Sequence, residues 1–449
     1  MFNFEAKVFA KEIIKPSSPE IHGMKPFKLN IFDQLTPTTY ASFMAFYPLI
    51  EANFTTTNIL PHLKTSLSET LNILYPISGR IKDNIFIDHF HEGVPFLSAQ
   101  AGCRLSEFLK HHEVKLLNKL LPCQPFSKEF NNEAPLLVCQ ITMFTCGGIA
   151  LGVVFSHKIF DAAIIFHLLD VWSKITRGSH HHNVGFHGLA NASMLFPPRN
   201  EVSQHYLSKV ENLWFTEPYN SITMRFTFDA KSIAELRAIA KGELEAMPSR
   251  IQAVLGFIWK CSMAASRMIS GSFKPFVLAQ AVSLRPRMNS NILQNSIGNL
   301  FCWTHCVTNL TDQIDTELFE LVKLMRKSIL TIDDEYLNAL QGEKGFKIIG
   351  EYINKLETMF SIEKPDFFSS TSWVNIKYYE LDFGWGNPQW VAPFGEAGSE
   401  FNNNVVFIET KCGKGIEAWI TLDEKRMLVL EKDAEFLKFA TPNPEISSL

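Results

Sequence analysis

No stretch of this chain strings together the roughly 18–20 apolar residues that a membrane-crossing helix needs, so a membrane-spanning protein is not expected. Its opening, Met1-Phe2-Asn3-Phe4-Glu5, has no basic segment leading into an apolar core, and no secretory signal is read there. The eight cysteines (103, 123, 139, 146, 261, 302, 306 and 412) include no CxxC pair. Scattered thiols in a chain without a signal point to reduced cysteines and a cytosolic protein. A basic excess is missing too. The net charge is −4, which argues against a general nucleic-acid or anionic-membrane binder, since both demand positive charge. There is no short fixed repeat and no low-complexity tract.

What is present fits a folded protein with more than one core. The 449 residues exceed what a single hydrophobic core serves, so two domains are expected. The hydrophobic share of 46% and charged share of 20% are those of globular chains. Phenylalanine alone supplies 38 residues, which suits either a Phe-rich core or a generous apolar pocket.

Segments of period 2 and period 3.6 alternate along the whole length, so the class is mixed α/β. Leu60 to Leu74 reads as an amphipathic helix stopped by Tyr75-Pro76. Asn84 to Asp88 and Pro95 to Ala99 read as short strands around Glu92-Gly93. Leu136 to Met143 and Gly148 to Phe155 read as a hairpin across Thr145-Cys146-Gly147-Gly148. Ala162 to Thr176 reads as a helix, with apolar residues at 164, 165, 168, 169, 172 and 175. Arg177 to Arg199, rich in Gly, Ser, His and Pro, is the best linker. Beyond it a strand (Ile222 to Phe228), a helix (Ala230 to Ala240) and a second helix after Pro248 restart the pattern.

Two motifs bear on chemistry. Ser156-His157-Lys158-Ile159-Phe160-Asp161 lies where a buried strand gives way to a helix, the kind of junction where active sites collect. A neutral histidine there takes a proton near pH 7. The plainer reading is that Asp161 caps the helix and His157 is a core residue. The second motif is Asp382-Phe383-Gly384-Trp385-Gly386-Asn387-Pro388. Its glycines permit a tight path around a tryptophan, and on physics alone it is a structural turn. His180-His181-His182, His89 and His91, and His111-His112-Glu113 are read as solvated loops and a polar helix end. No carboxylate or Cys accompanies His180-His181-His182 at ligand spacing, and no metal is expected.

Together, HxxxD in the middle and DFGWG near the C-terminus resemble the plant BAHD acyltransferase family. Tyr75-Pro76-Ile77-Ser78-Gly79-Arg80, Asp33-Gln34, Gly93-Val94-Pro95-Phe96, Ser283-Leu284-Arg285-Pro286-Arg287, Gly298-Asn299-Leu300-Phe301 and Thr371-Ser372-Trp373 follow in family order. The resemblance covers essentially the whole chain. It implies a two-domain fold like chloramphenicol acetyltransferase, each domain a mixed sheet covered by helices: residues 1–180 carrying HxxxD, a crossover over 181–215, and 216–449 carrying DFGWG.

The resemblance also implies the chemistry. An acyl-CoA thioester, acetyl-CoA for the alkaloid-acylating branch that Ser-His-Lys-Ile and the short N-terminus resemble, would donate to a small alcohol, with no bound cofactor and no macromolecular partner. His157 would act as general base in a direct transfer, and Thr371 and Trp373 would face the oxyanion. Asp161 would turn away to an arginine, the matching position being Arg285, with Arg287 two residues on. Asp382, Gly384, Trp385 and Gly386 would be structural. A capping box at Ser249 with Gln252, beside Arg250, would seat a CoA phosphate; an ordinary cap is the alternative. Asn387 departs from the family's usual lysine. Other acceptors (phenolic, terpenoid or aliphatic), a malonyl donor, a non-catalytic member of the fold and a condensation domain stay open. A monomer is expected.

Overall fold

The apolar runs on either side of Thr145–Gly148 build the centre of the first half as an antiparallel hairpin. Gly147 supplies the positive φ (85°) that the turn requires. The computed structural model describes residues 4–48, 56–111, 113–126, 134–179, 188–200, 202, 207–208, 211, 220–271, 274–288, 293–308, 317–363, 365–398 and 403–446. His112, His180–His182 and most of the expected crossover over 181–215 lie outside them.

The described residues contain sixteen strands. The first half holds β1 (Ala6–Ile14), β2 (Phe27–Lys28), β3 (Tyr40–Tyr47), β4 (Arg80–Lys82), β5 (Phe86–Asp88), β6 (Val94–Ala101), β7 (Leu137–Met143) and β8 (Ile149–Ser156). The second holds β9 (Ser221–Phe228), β10 (Phe276–Ser283), β11 (Phe301–Thr308), β12 (Asp366–Ser372), β13 (Trp390–Ala392), β14 (Asn404–Glu409), β15 (Ile416–Asp423) and β16 (Thr441–Pro442). Helices longer than ten residues are α1 (Thr56–Ile73), α2 (Ala162–Thr176), α3 (Ala230–Lys241), α4 (Arg250–Ser270), α5 (Leu318–Leu330) and α6 (Glu343–Glu363).

Two large mixed sheets result. One runs β1-β6-β7-β8-β3-β13 and the other β11-β10-β12-β14-β15-β9-β16, with β2-β5-β4 as a small third. Every residue of β3 and β8 is buried, as expected of strands covered on both faces. Helices α1 and α2 pack on each other in the first half, where the Trp172 indole donates to Leu63 O (3.2 Å) and Ser66 Oγ (3.1 Å). Helices α3, α4 and α5 pack together in the second. The mixed α/β class is the one the alternating periods indicate.

Strand β13 is the exception to a simple division by halves. It leaves the second half and pairs antiparallel with β3, Trp390 opposite Phe46. Its Trp390 indole donates to the buried Glu417 of β15 (3.3 Å), which also pairs with Arg225 of β9 (3.3 Å). One short strand therefore fastens the two large sheets to each other. Among the described residues no helix is long and apolar enough to cross a membrane.

Candidate active site

His157 is the first residue after β8, and the backbone around it is tied on both sides. Its N–H donates to Thr39 O (2.8 Å), and its carbonyl accepts from Asn299 Nδ2 (2.8 Å). The following Ile159 and Phe160 are fully buried, so the turn is anchored by packing as well. The ring is half-buried and meets Phe301 edge-on at 5.9 Å. Nδ1 is buried and makes no hydrogen bond of normal geometry. Burial lowers the imidazole pKa; its own carbonyl, the Asp161 carboxylate and Asn299 oppose that shift without cancelling it. The ring is therefore neutral at pH 7 and holds a free lone pair.

Asp161 serves both readings that the sequence left open, one per oxygen. Oδ1 accepts from Ala163 N (3.1 Å) and Ile164 N (2.9 Å), capping α2. Oδ2 accepts from Arg285 Nε (3.2 Å) and Nη2 (3.0 Å) and from Leu300 N (3.1 Å). Arg285 spends its remaining donors on the carbonyls of Leu293, Ser296 and Gly298 (2.6, 3.2 and 2.8 Å). It thus gathers the loop before β11 around the base of α2. Arg287 points elsewhere, to Ile332 O (3.2 Å).

That loop reaches His157 through a residue not singled out from the sequence. Asn299 donates its backbone N–H (2.6 Å) and Nδ2 (3.1 Å) to Asp33 Oδ1 while Nδ2 also holds the His157 carbonyl. Gly298 has φ 113°, and a Cβ there would lie 2.4 Å from Asn30 Nδ2 and 2.7 Å from Asp33 Oδ2, so only glycine allows this close approach. Burial pushes the Asp33 carboxyl up to about 7 and the Lys158 ammonium down to about 7. Lys158 Nζ donates to Gln34 O (3.0 Å) and Asn84 Oδ1 (2.9 Å). Asp33, Asn299, Asp161 and Arg285 together clamp the His157 backbone from both halves of the chain.

His157 opens onto a cavity of about 450 Å³ whose walls come from both halves. Thr371, at the end of β12, and Trp373 line the same cavity, as do Phe155, Phe301, Trp303 and His305. Trp373 is held by its backbone N–H, which donates to Phe407 O (2.8 Å), and its ring packs on Tyr378 (5.6 Å). Tyr378 in turn donates to Ala162 O at the start of α2 (3.0 Å). Among the described residues, those lining the cavity include no Lys and no Arg.

The structure sets the other candidates apart from this cavity. Asp382 Oδ1 accepts from Gly384 N (2.8 Å) and Gly386 N (3.0 Å). Both glycines have positive φ, 105° and 99°. Phe383 stacks with Trp385 (5.7 Å) and meets Trp172 of α2 edge-on (5.3 Å), and both Phe383 and Trp385 are buried. DFGWG is thus a wedge behind α2. Ser249 caps α4 in a capping box with Gln252. Arg250 is paired with Glu409 (2.5 Å) and donates to Gly413 O (2.9 Å). Its Nη2 also lies 3.5 Å from Asn375 Oδ1, two residues past Trp373.

A family model described as the transferase family matches residues 4–437. Akuammiline synthase 2 of Alstonia scholaris is 35% identical, over 98% of this chain and 97% of its own. A limonoid 21-O-acetyltransferase of Melia azedarach is 32% identical, over 98% of this chain and 99% of its own. The crystal structure of vinorine synthase superposes with a TM-score of 0.81 at 30% identity, covering 97% of this chain and 98% of that one.

Proposed function

Since the chain belongs to the transferase family of BAHD acyltransferases, we propose that it transfers an acetyl group from acetyl-CoA to a hydroxyl of a plant specialised metabolite, with His157 as general base. The observation that carries this reading is a neutral histidine, fixed by its backbone from both halves of the chain, at the wall of an apolar cavity that both halves enclose. An alcohol is a weak nucleophile at neutral pH. The carbonyl of His157 itself favours a proton on the ring, and we assign that proton to the buried Nδ1 and the role of base to Nε2. It takes the alcohol proton as oxygen attacks the thioester carbon, and the C–S bond then breaks. The same proton passes to the departing thiolate. No side chain needs to be acylated.

The negative charge that develops on the thioester oxygen calls for donors aimed at it. Thr371 and Trp373 carry a hydroxyl and an indole N–H on the same cavity, and we assign them this role. Among the described residues the cavity wall offers a phosphate no Lys or Arg, so we assign the nucleotide end of acetyl-CoA a place outside it. The start of α4 is the seat we assign: free N–H groups at the helix end favour an anion. Ser249 and Arg250 stand there, and Arg250 reaches Gly413 O and Asn375 Oδ1, the latter two residues past Trp373. Arg250 then shares its charge between Glu409 and a phosphate.

The limonoid O-acetylation in a relative's name supports a polycyclic alcohol as acceptor. The alkaloid class is favoured, because Ser156-His157-Lys158-Ile159 resembles the alkaloid-acylating branch of the family. We place the enzyme in the cytosol as a monomer. The test is incubation of the purified protein with acetyl-, malonyl- and longer acyl-CoAs against a panel of alkaloid, limonoid and simple alcohols, following free thiol. Acetyl-CoA with a polycyclic alcohol should release thiol fastest. Release with none of the acceptors would overturn the reading.

A further inference from the structure

The cavity contains a second histidine that the transfer chemistry does not use. Alternation along β11 turns Phe301, Trp303 and His305 toward the cavity. His305 Nδ1 lies 3.1 Å from Tyr352 Oη of α6, and that hydroxyl lies 2.9 Å from Trp303 O. A carbonyl can only accept, so the single tyrosine proton goes to Trp303 O. Tyr352 must then accept from His305, which places the His305 proton on Nδ1. Burial, with Lys355 adding to it, holds the imidazole pKa down, so the ring stays neutral and Nε2 keeps its lone pair. Among the described residues nothing donates to that nitrogen. Ile349, Ile353, Leu356 and Phe360 of α6 line the same cavity.

We infer that His305 Nε2 selects acceptor alcohols carrying a second hydrogen-bond donor, a hydroxyl or an N–H, at the far end from the hydroxyl that is acylated. This rests on the acyltransferase reading above and adds a requirement on the substrate. The strand itself sets the spacing. Phe301 touches the His157 ring, and His305 lies four residues further along β11, roughly 13 Å at about 3.3 Å per residue. A flexible chain or a single ring does not bridge that span without loss of order, whereas a rigid frame of several fused rings does. An acceptor without the distal donor leaves a desolvated nitrogen unpaired, which is unfavourable inside an apolar wall.

Androstanediol, a rigid frame with a hydroxyl at each end, and androstanol, the same frame with only one, are the probes. Their equilibrium affinities are measured by calorimetry on the full chain, with thiol release from acetyl-CoA followed in parallel. Wild type should bind the diol about three- to tenfold more tightly, the range expected for one buried hydrogen bond. His305→Leu should bring that ratio close to one. Tyr352→Phe, a milder change that frees His305 Nδ1 from its fixed role, should reduce it. No preference in wild type, or a preference that survives both substitutions, overturns the assignment. An affinity preference that behaves as expected while no acceptor releases thiol would instead remove the acyltransferase reading and leave the role of His305 standing.

Discussion

Replacing Asp161 tests how the site is held together. In Asp161→Asn one of the two oxygens becomes an amide N–H₂ group. Toward α2 it would face the N–H groups of Ala163 and Ile164; toward the loop it would face Arg285 and Leu300 N. Both directions are donor against donor. Asp161 and Arg285 are both buried, and breaking such a pair from one side costs about 3–5 kcal/mol, a large part of a typical folding free energy of about 5–15 kcal/mol. Urea unfolding followed by tryptophan fluorescence should report a loss of that size. Asp161→Ala combined with Arg285→Ala should lose less than the sum of the two single changes, by up to about 3 kcal/mol. The lost helix cap, about 0.5–2 kcal/mol, remains in the double variant.

A second readout separates positioning from mere stability. The Asp161 charge raises the His157 pKa. With His157 as the proposed general base, activity should require its neutral form, so kcat/KM should rise with pH through that pKa and level off above it. Without the carboxylate the imidazole loses its proton more easily, and in Asp161→Asn the acidic limb should move to lower pH. Additive energies together with an unmoved limb would refute the reasoning.

Two further outcomes are expected. Arg250→Ala should raise KM for acetyl-CoA by roughly one to two decades, as a charge-assisted contact of about 1.5–3 kcal/mol implies, and leave kcat largely intact. With S-acetylpantetheine as donor the effect should vanish, and an equal effect on both donors would remove the phosphate assignment. Trp373→Phe, which keeps the ring and deletes the indole N–H, should lower kcat by about 10²–10³ with KM nearly constant in steady-state kinetics. An unchanged kcat would leave the oxyanion to other donors.

Local signals made much of this legible from sequence. Helix α2 runs from Ala162 to Thr176 because Asp161 caps it and its apolar residues recur at helical spacing. The β7–β8 hairpin follows from two apolar runs around paired glycines, and the Ser249 capping box from one serine and one glutamine three residues apart. What stayed hidden depends on distant contacts. The chain signals Asp33 and Asn299 only as separate stretches, and nothing local reveals that Asn299 bridges Asp33 to the His157 carbonyl. Strand β13 has three residues, too few to display a period, yet it joins the first sheet. The pairing of Arg250 with Glu409 and of His305 with Tyr352 likewise spans separate elements. For Asp161 the residues themselves signal only the helix cap and the family resemblance only the arginine pair, because sequence does not distinguish one carboxylate oxygen from the other.

The most direct test of the account is the turnover of His157→Ala with acetyl-CoA and the best acceptor from the panel, measured beside its affinity for acetyl-CoA by calorimetry. Removal of a general base should lower kcat about 10²–10⁴-fold, with acetyl-CoA bound as tightly as by the wild type. Turnover close to the wild-type rate, in a variant that folds and binds the donor normally, would contradict the claim that His157 takes the proton.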